Sequence, residues 1–294
     1  MVDFEVPDVD YTRYTNRQLM AIPVVVLAIA LAVLAGWYVT TGAPVNQGID
    51  FTGGTEMTVQ TDTPRGDIAE QFDPAPASIQ SVTDQQNRYI LTFQATDGSG
   101  TDLTEQAQEN LEPVGDSDVV LSFQQVSAGF GASTQRTALF GLGLAFVGMS
   151  ILAFVLFRTF VPSLGIVLSA FSDMVVPLAL MNVFGIELSL GTVAALLMLI
   201  GYSVDSDILL TNHILRRSGE FYESTYRAMR TGVTMTVTSL AAMAVMAIVA
   251  FVFRIDLLAS IGLVLVFGLA TDLMNTYMFN VSLLRWYKIG GVEP

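Results

Sequence analysis

Apolar residues gather into six runs along the chain, and polar residues fill the stretches between them. The first run lies within 21–41, and the others cover about 137–157, 161–184, 188–210, 233–253 and 257–284. Each is long enough for a helix to cross a hydrocarbon core about 30 Å thick. Arg158 and Pro162 mark the end of the second run, Gly185-Ile186-Glu187 and Arg254-Ile255-Asp256 are short links, and the polar segment 211–231 is the long one among the last five runs. Six crossings put the terminal segments 1–20 and 286–294 on one side. The first run, Ile22 to Val39, reads as an uncleaved anchor. The alternative, a cleaved signal peptide, fits less well: the polar segment before it is long and acidic, and Pro44 follows the small-residue exit Thr41-Gly42-Ala43.

Between the first two runs the period changes. Residues 42–135 are polar, acidic and rich in turn residues. Alternating apolar positions predict strands at Thr55–Thr61, Ser78–Val82, Arg88–Gln94 and Asp118–Val126. Pro64 to Phe72 opens with a proline suited to a helix start, and Leu103, Ala107 and Leu111 mark a second helix over Asp102–Leu111. The order β-α-β-β-α-β predicts a ferredoxin-like domain, with helices on one face of a four-stranded sheet. The fold class expected is therefore a polytopic α-helical membrane protein of six transmembrane helices with one α+β domain between helices 1 and 2. Helix 1 lies in 21–41, the domain in 42–135 and a five-helix bundle in 136–285.

Composition narrows the chemistry. Of 294 residues, 52% are hydrophobic and 14% charged, a balance that belongs to a membrane protein. There is no cysteine and one histidine, so neither a disulfide framework nor a Cys- or His-cluster metal site is available. The net charge is −14, from 27 acidic and 13 basic residues, and Lys288 is the only lysine. That balance argues against nucleic-acid binding and is the one expected of a protein from a salt-saturated cell. Basic residues flanking the runs set the orientation. Arg13, Arg17, Arg158, Arg216, Arg217, Arg227, Arg230, Arg285 and Lys288 fall on one side, against Arg136 and Arg254 on the other. This predicts cytoplasmic termini and an extracytoplasmic 42–135 domain in the cytoplasmic membrane. Segment 211–231 sets Phe221, Tyr222, Tyr226 and Met229 beside its arginines and reads as a short interfacial helix, with a solvated loop as the alternative.

The candidate chemistry lies in Ile200 to Arg217, where the fourth run carries Asp205 and Asp207. Asp173 in the third run and Asp272 in the sixth lie at similar depth. A carboxylate in a spanning helix costs several kcal/mol and ordinarily faces a bundle interior, a wet cavity or a partner charge. The alternative for Asp205 and Asp207 is solvation near the membrane interface. Each helical residue turns about 100°, so these two point roughly 200° apart. Ser203 shares the face of Asp207, and Tyr202 that of Asp205. Thr231, Thr234 and Thr238 give the fifth run a hydroxyl face, whose alternative reading is ordinary helix packing. If the fourth and fifth runs pack side by side, Arg230 reaches the depth of Asp205 and Asp207. A carboxylate beside a guanidinium stays ionised, and one pulled away takes up a proton. Asp205, Asp207, Arg230 and Asp173 are thus candidates for an ion relay, with Ser203, Thr234 and Asp272 as a possible pathway.

Gly48-Ile49-Asp50-Phe51-Thr52-Gly53-Gly54-Thr55 stands just outside the first run. Together with Gly201-Tyr202-Ser203-Val204-Asp205-Ser206-Asp207 and Arg230-Thr231, it resembles the SecD/SecF family of protein-export membrane proteins, and its SecF branch in particular. The resemblance extends over nearly the whole chain. Two departures stand out. The family's Asn-Asp in the fourth span reads Asp205-Ser206 here, with a second acid at Asp207, and Ser172 replaces the histidine before Asp173. The resemblance implies membership of the resistance-nodulation-division superfamily and partnership with SecD. It also implies association with a SecYE-type translocon channel, contact with exported polypeptides and membrane lipid, and no partnership with nucleic acid. A separate chain of this kind looks archaeal and the acidic balance haloarchaeal; the resemblance implies no enzyme, with H⁺ or Na⁺ as the coupling ion, no other cofactor and no metal. Gly48, Asp50, Phe51, Gly53 and Gly54 would form the domain's motif and hinge. No Gly-rich phosphate loop followed by Lys occurs, in keeping with the absence of ATP hydrolysis. Three rivals remain. A lipid or small-molecule exporter of the same superfamily usually has twice the spans. An intramembrane aspartyl protease usually has Gly-Xaa-Gly-Asp, absent here. The third is a non-catalytic assembly subunit for SecD.

Overall fold

The structure, a computed structural model, describes residues 10–82, 87–94, 100–115, 117–216, 220–253 and 255–290. Two compact units emerge, one of residues 47–139 and one of the remainder.

The smaller unit opens with a single helical turn, α2 (Ile49–Thr52), and continues as β1 (Gly54–Gln60), α3 (Arg65–Ile68), β2 (Ser78–Ser81), β3 (Arg88–Phe93), α4 (Gly100–Asn110) and β4 (Val120–Val126). The sheet is antiparallel in the order β2-β3-β1-β4, the ferredoxin-like arrangement the alternation predicts. Strand boundaries agree with expectation to within two residues. Thr55, Met57 and Val59 point to one face of β1 and pair with Phe93, Leu91 and Tyr89 of β3. That face is buried with Ile68, Phe72, Leu103, Ala107 and Leu111. The period of two therefore selects which side of the sheet the helices cover.

The larger unit holds α1 (Asn16–Thr41), α5 (Ala128–Phe157, its first residues in the smaller unit), α6 (Phe160–Phe184), α7 (Leu190–Arg216) and α8 (Phe221–Phe253). The last span is continuous from α9 (Asp256–Met274) through a π-helical turn (Asn275–Asn280) to α10 (Val281–Ile289). All six spans are long and apolar enough to cross a membrane. They run longer than the apolar runs, because polar turns such as Ala128 to Arg136 extend a helix without adding hydrophobicity. Segment 211–231 differs from expectation. It is no separate interfacial helix: α7 continues through Arg216, and α8 already starts at Phe221. Arg217 and Arg254 lie outside the described residues. The last span packs on α6, α7 and α8 and forms the bundle's centre, while α1 packs on α6 and the last span. Leu196 and Leu199 of α7, Met181 of α6 and Val264 and Leu265 of α9 fill one core. Both ends of this unit meet. Arg285 of α10 donates to the carbonyls of Tyr11 and Tyr14, at 3.0 Å each.

Candidate functional site

Three spans bring carboxylates to one place in the bundle. Asp173 of α6, Asp207 of α7 and Asp272 of α9 are 1%, 0% and 1% exposed. The fourth-span string splits as its helical spacing requires. Ser203, Ser206 and Asp207 turn inward, while Tyr202 and Asp205 are exposed. Four more polar residues complete the cluster: Ser206, Asn275, Thr276 and Asn280, all buried.

Asp173 accepts from the Ser203 hydroxyl at 2.5 Å and from the Asn275 amide at 2.6 Å. Asp207 Oδ1 accepts from Thr276 Oγ1 at 2.8 Å and from Asn280 Nδ2 at 2.5 Å. Asp207 Oδ2 has no partner among the described residues, and neither do Asn280 Oδ1 and Ser169 Oγ. Ser206 Oγ lies 2.7 and 2.9 Å from the two oxygens of Asp272 and 2.9 Å from the Ser203 carbonyl. Thr276 Oγ1 lies 3.2 Å from Asp272 as well as touching Asp207. Each hydroxyl has one hydrogen to give, so the oxygens outnumber the hydrogens aimed at them. No Lys, Arg or His forms a salt bridge with the three acids among the described residues. A proton or a cation is what such a set of oxygens can take up.

The remaining candidates lie elsewhere. Arg230 is exposed and forms no salt bridge with the buried acids. Asp205 is exposed on α7. The hydroxyls of Thr231, Thr234 and Thr238 are exposed too and donate to carbonyls of their own helix. The structure therefore joins Asp173, Asp207, Asp272 and Ser203 and leaves Asp205, Arg230 and Thr234 on the outer surface of this chain. Sequence reasoning missed Ser206, Asn275, Thr276 and Asn280. The signal was present: Asp272, Asn275, Thr276 and Asn280 recur at steps of three, one and four, polar positions on one side of an otherwise apolar span.

In the smaller unit, Asp50 and Phe51 belong to α2, with Gly48 as its N-cap and Gly53 as its C-cap. Gly53 has φ +69°, and a Cβ there would lie 2.6 Å from Ala128 Cα. A Cβ on Gly131 would lie 2.6 Å from Gly53 N. The Gly53-Gly54 turn and the first residues of α5 thus touch backbone to backbone.

Comparison with known proteins agrees with this architecture. The family described as protein export membrane protein SecD/SecF, C-terminal, matches residues 106–289, and the SecD/SecF GG motif matches residues 38–64. The protein-export membrane protein SecF of Haloferax volcanii is 64% identical over 99% of both chains. The SecF of Haloquadratum walsbyi is 62% identical over 99% of both, and that of Pyrococcus furiosus 39% identical over 92% of this chain and 90% of its own. The fold also matches the crystal structure of SecDF, a translocon-associated membrane protein, from Thermus thermophilus, with a TM-score of 0.71 at 21% identity. That match covers 96% of this chain and 39% of the longer one. With helices, sheet order and both motifs in place, the chain belongs to the SecD/SecF family of protein-export membrane proteins, among the archaeal SecF chains.

Proposed function

We propose that this chain pairs with SecD at a SecYE-type channel and uses an H⁺ or Na⁺ gradient to help draw exported polypeptides across the cytoplasmic membrane. The buried cluster of Asp173, Asp207 and Asp272 carries the reading. Three ionised carboxylates in an apolar bundle with no cation beside them would cost several kcal/mol each. The cluster is therefore occupied by a proton or a cation for at least part of a cycle. Binding and release change how α6, α7 and the last span hold one another, because the donors to each acid come from a neighbouring span or its own, and Thr276 is shared between Asp207 and Asp272. An elementary charge crossing about 100 mV supplies roughly 2.3 kcal/mol, so a few ions per cycle are enough to move the domain of residues 47–139. Asp205 and Arg230 keep their place as relay candidates on the surface presented to a partner. The bias of basic residues supports cytoplasmic termini with that domain outside.

Export into inverted vesicles carrying the complex with SecD tests both halves. Residues 47–139 should be protected from added protease. Asp207→Asn and Asp272→Asn should lower gradient-dependent export at least tenfold while the complex still assembles. Normal export in both would sink the ion reading and leave an assembly subunit, the role to which exposed Asp205 and Arg230 are otherwise suited.

A further inference from the structure

The last span widens for one turn inside the buried cluster. Along an α-helix, five residues rotate a side chain through about 500°, so Asn280 would point about 140° away from Asn275. In the π turn the Val281 N–H reaches the Thr276 carbonyl five residues back, which turns residues five apart toward one face. Asn275 then meets Asp173 while Asn280 meets Asp207. Both amides thus serve the cluster from the two ends of the wide turn.

Such turns are rare because the ordinary helix is more stable, so something must hold this one. Tyr11, buried at the start of the described chain, donates its hydroxyl to the main-chain carbonyl of Tyr277, inside the wide turn, at 3.0 Å. An outside donor of this kind compensates a helical carbonyl tilted from its usual partner. The backbone of Tyr11 is in turn fixed by Arg285, which donates to the carbonyls of Tyr11 and Tyr14 and to the Asn16 side chain. Tyr277 and Arg285 are eight residues apart, about 12 Å of helix. Segment 11–16 is thus pinned to the last span on both sides of the point where the wide turn gives way to α10. Narrowing the turn would rotate Tyr277 against Arg285 and break one pin or the other. Asp10 stiffens the splint. Its carboxylate accepts from the side chain and backbone of Thr12 and from Arg13, and these bonds hold it below the usual carboxylate range.

We propose that Tyr11 is a positioning residue for the buried cluster: through the Tyr277 carbonyl it keeps the last span wide between Asn275 and Asn280, and so keeps both amides on Asp173 and Asp207. The segment before the first span thereby sets the geometry of a site in the last one. Its consequence for export rests on the ion reading above; its consequence for the helix does not. Tyr11→Phe, which removes only the hydroxyl, tests it in the assembled complex with SecD. Density for the variant should show the last span closing to i→i+4 bonding and Asn280 leaving Asp207. Amide exchange over 275–282 should rise at least tenfold, and gradient-driven export should fall at least threefold. Arg285→Gln, which frees the backbone of Tyr11, should give the same result. Tyr14→Phe should change nothing, since its hydroxyl has no partner among the described residues. An intact wide turn in Tyr11→Phe, with Asn280 still on Asp207, would overturn the proposal whatever export does. A narrowed turn with normal export would uphold the positioning role and count against the ion reading instead.

Discussion

A hydroxyl that finds no partner tells as much about packing as one that does. Tyr277 is buried, yet its phenol oxygen bonds to nothing among the described residues. It is aimed at Gly232 of α8, where a Cβ would come within 2.0 Å of the oxygen but 3.4 Å of the ring carbon that bears it. Gly232→Ala should therefore destabilise the bundle by about 1–3 kcal/mol, the usual result of forcing a methyl into a filled site. Adding Tyr277→Phe removes the offending atom and costs no hydrogen bond. The double variant should recover most of the loss in thermal melts of the detergent-solubilised chain. Melting no higher than Gly232→Ala alone would show that the strain lies in the backbone. At this scale the sequence was legible where polarity was rare. Four acids in apolar runs stood out, and helical spacing set Ser203 on the face of Asp207, where both are buried. It could not place Arg230, which is exposed, because proximity along the chain does not say which way a helix turns its side chains. It also passed over Asn275 and Asn280, because uncharged amides weigh little in an apolar count.

Elements show where periodicity suffices and where it does not. The smaller unit was nearly complete in the sequence, since β1 and β3 alternate and α4 carries the stripe Leu103 and Ala107. The GG turn was legible as a motif, and its physical reason comes from packing. Gly53 needs φ +69°, which costs a residue with a Cβ, and it also meets the Ala128 backbone. Gly53→Ala should lose about 2 kcal/mol or more, read as faster hydrogen exchange in β1 and β4 of the whole chain, whereas Gly66→Ala, where a Cβ meets nothing, should not. Equal exchange in the two variants would mean that the contact with α5 yields easily. Helix ends were less legible. The apolar runs mark where helices meet lipid, but α5 and α8 each begin well before their runs, in polar turns that hydropathy does not register. The wide turn is invisible to any fixed period, because it is a change of period by one residue in a span that is apolar on either side.

Charge becomes informative only when summed over a unit. Residues 47–139 hold fourteen acidic residues against three arginines, a net of −11 out of the whole chain's −14. The spans are close to neutral by comparison, so nearly all of the acidity sits on one domain of ordinary size. Like charges on a small folded surface repel, and unfolding relieves them by spreading them apart. Salt reduces that relief: the screening length falls from about 30 Å at 0.01 M to about 3 Å at 1 M. The domain should therefore depend on salt and the bundle should not, because the buried acids of the bundle are shielded from solvent ions. Exchange of β1–β4 amides should speed up at least tenfold as KCl falls from about 2 M to 0.1 M, while amides of α6 and α7 hold their rates. Since both sets are read from one sample of the full chain, detergent and handling cannot produce the contrast. Uniform protection of the sheet down to low salt would mean that the acidic surface contributes solubility alone, and that the compact core of Met57, Leu91 and Phe93 is sufficient to hold the domain against its own charge.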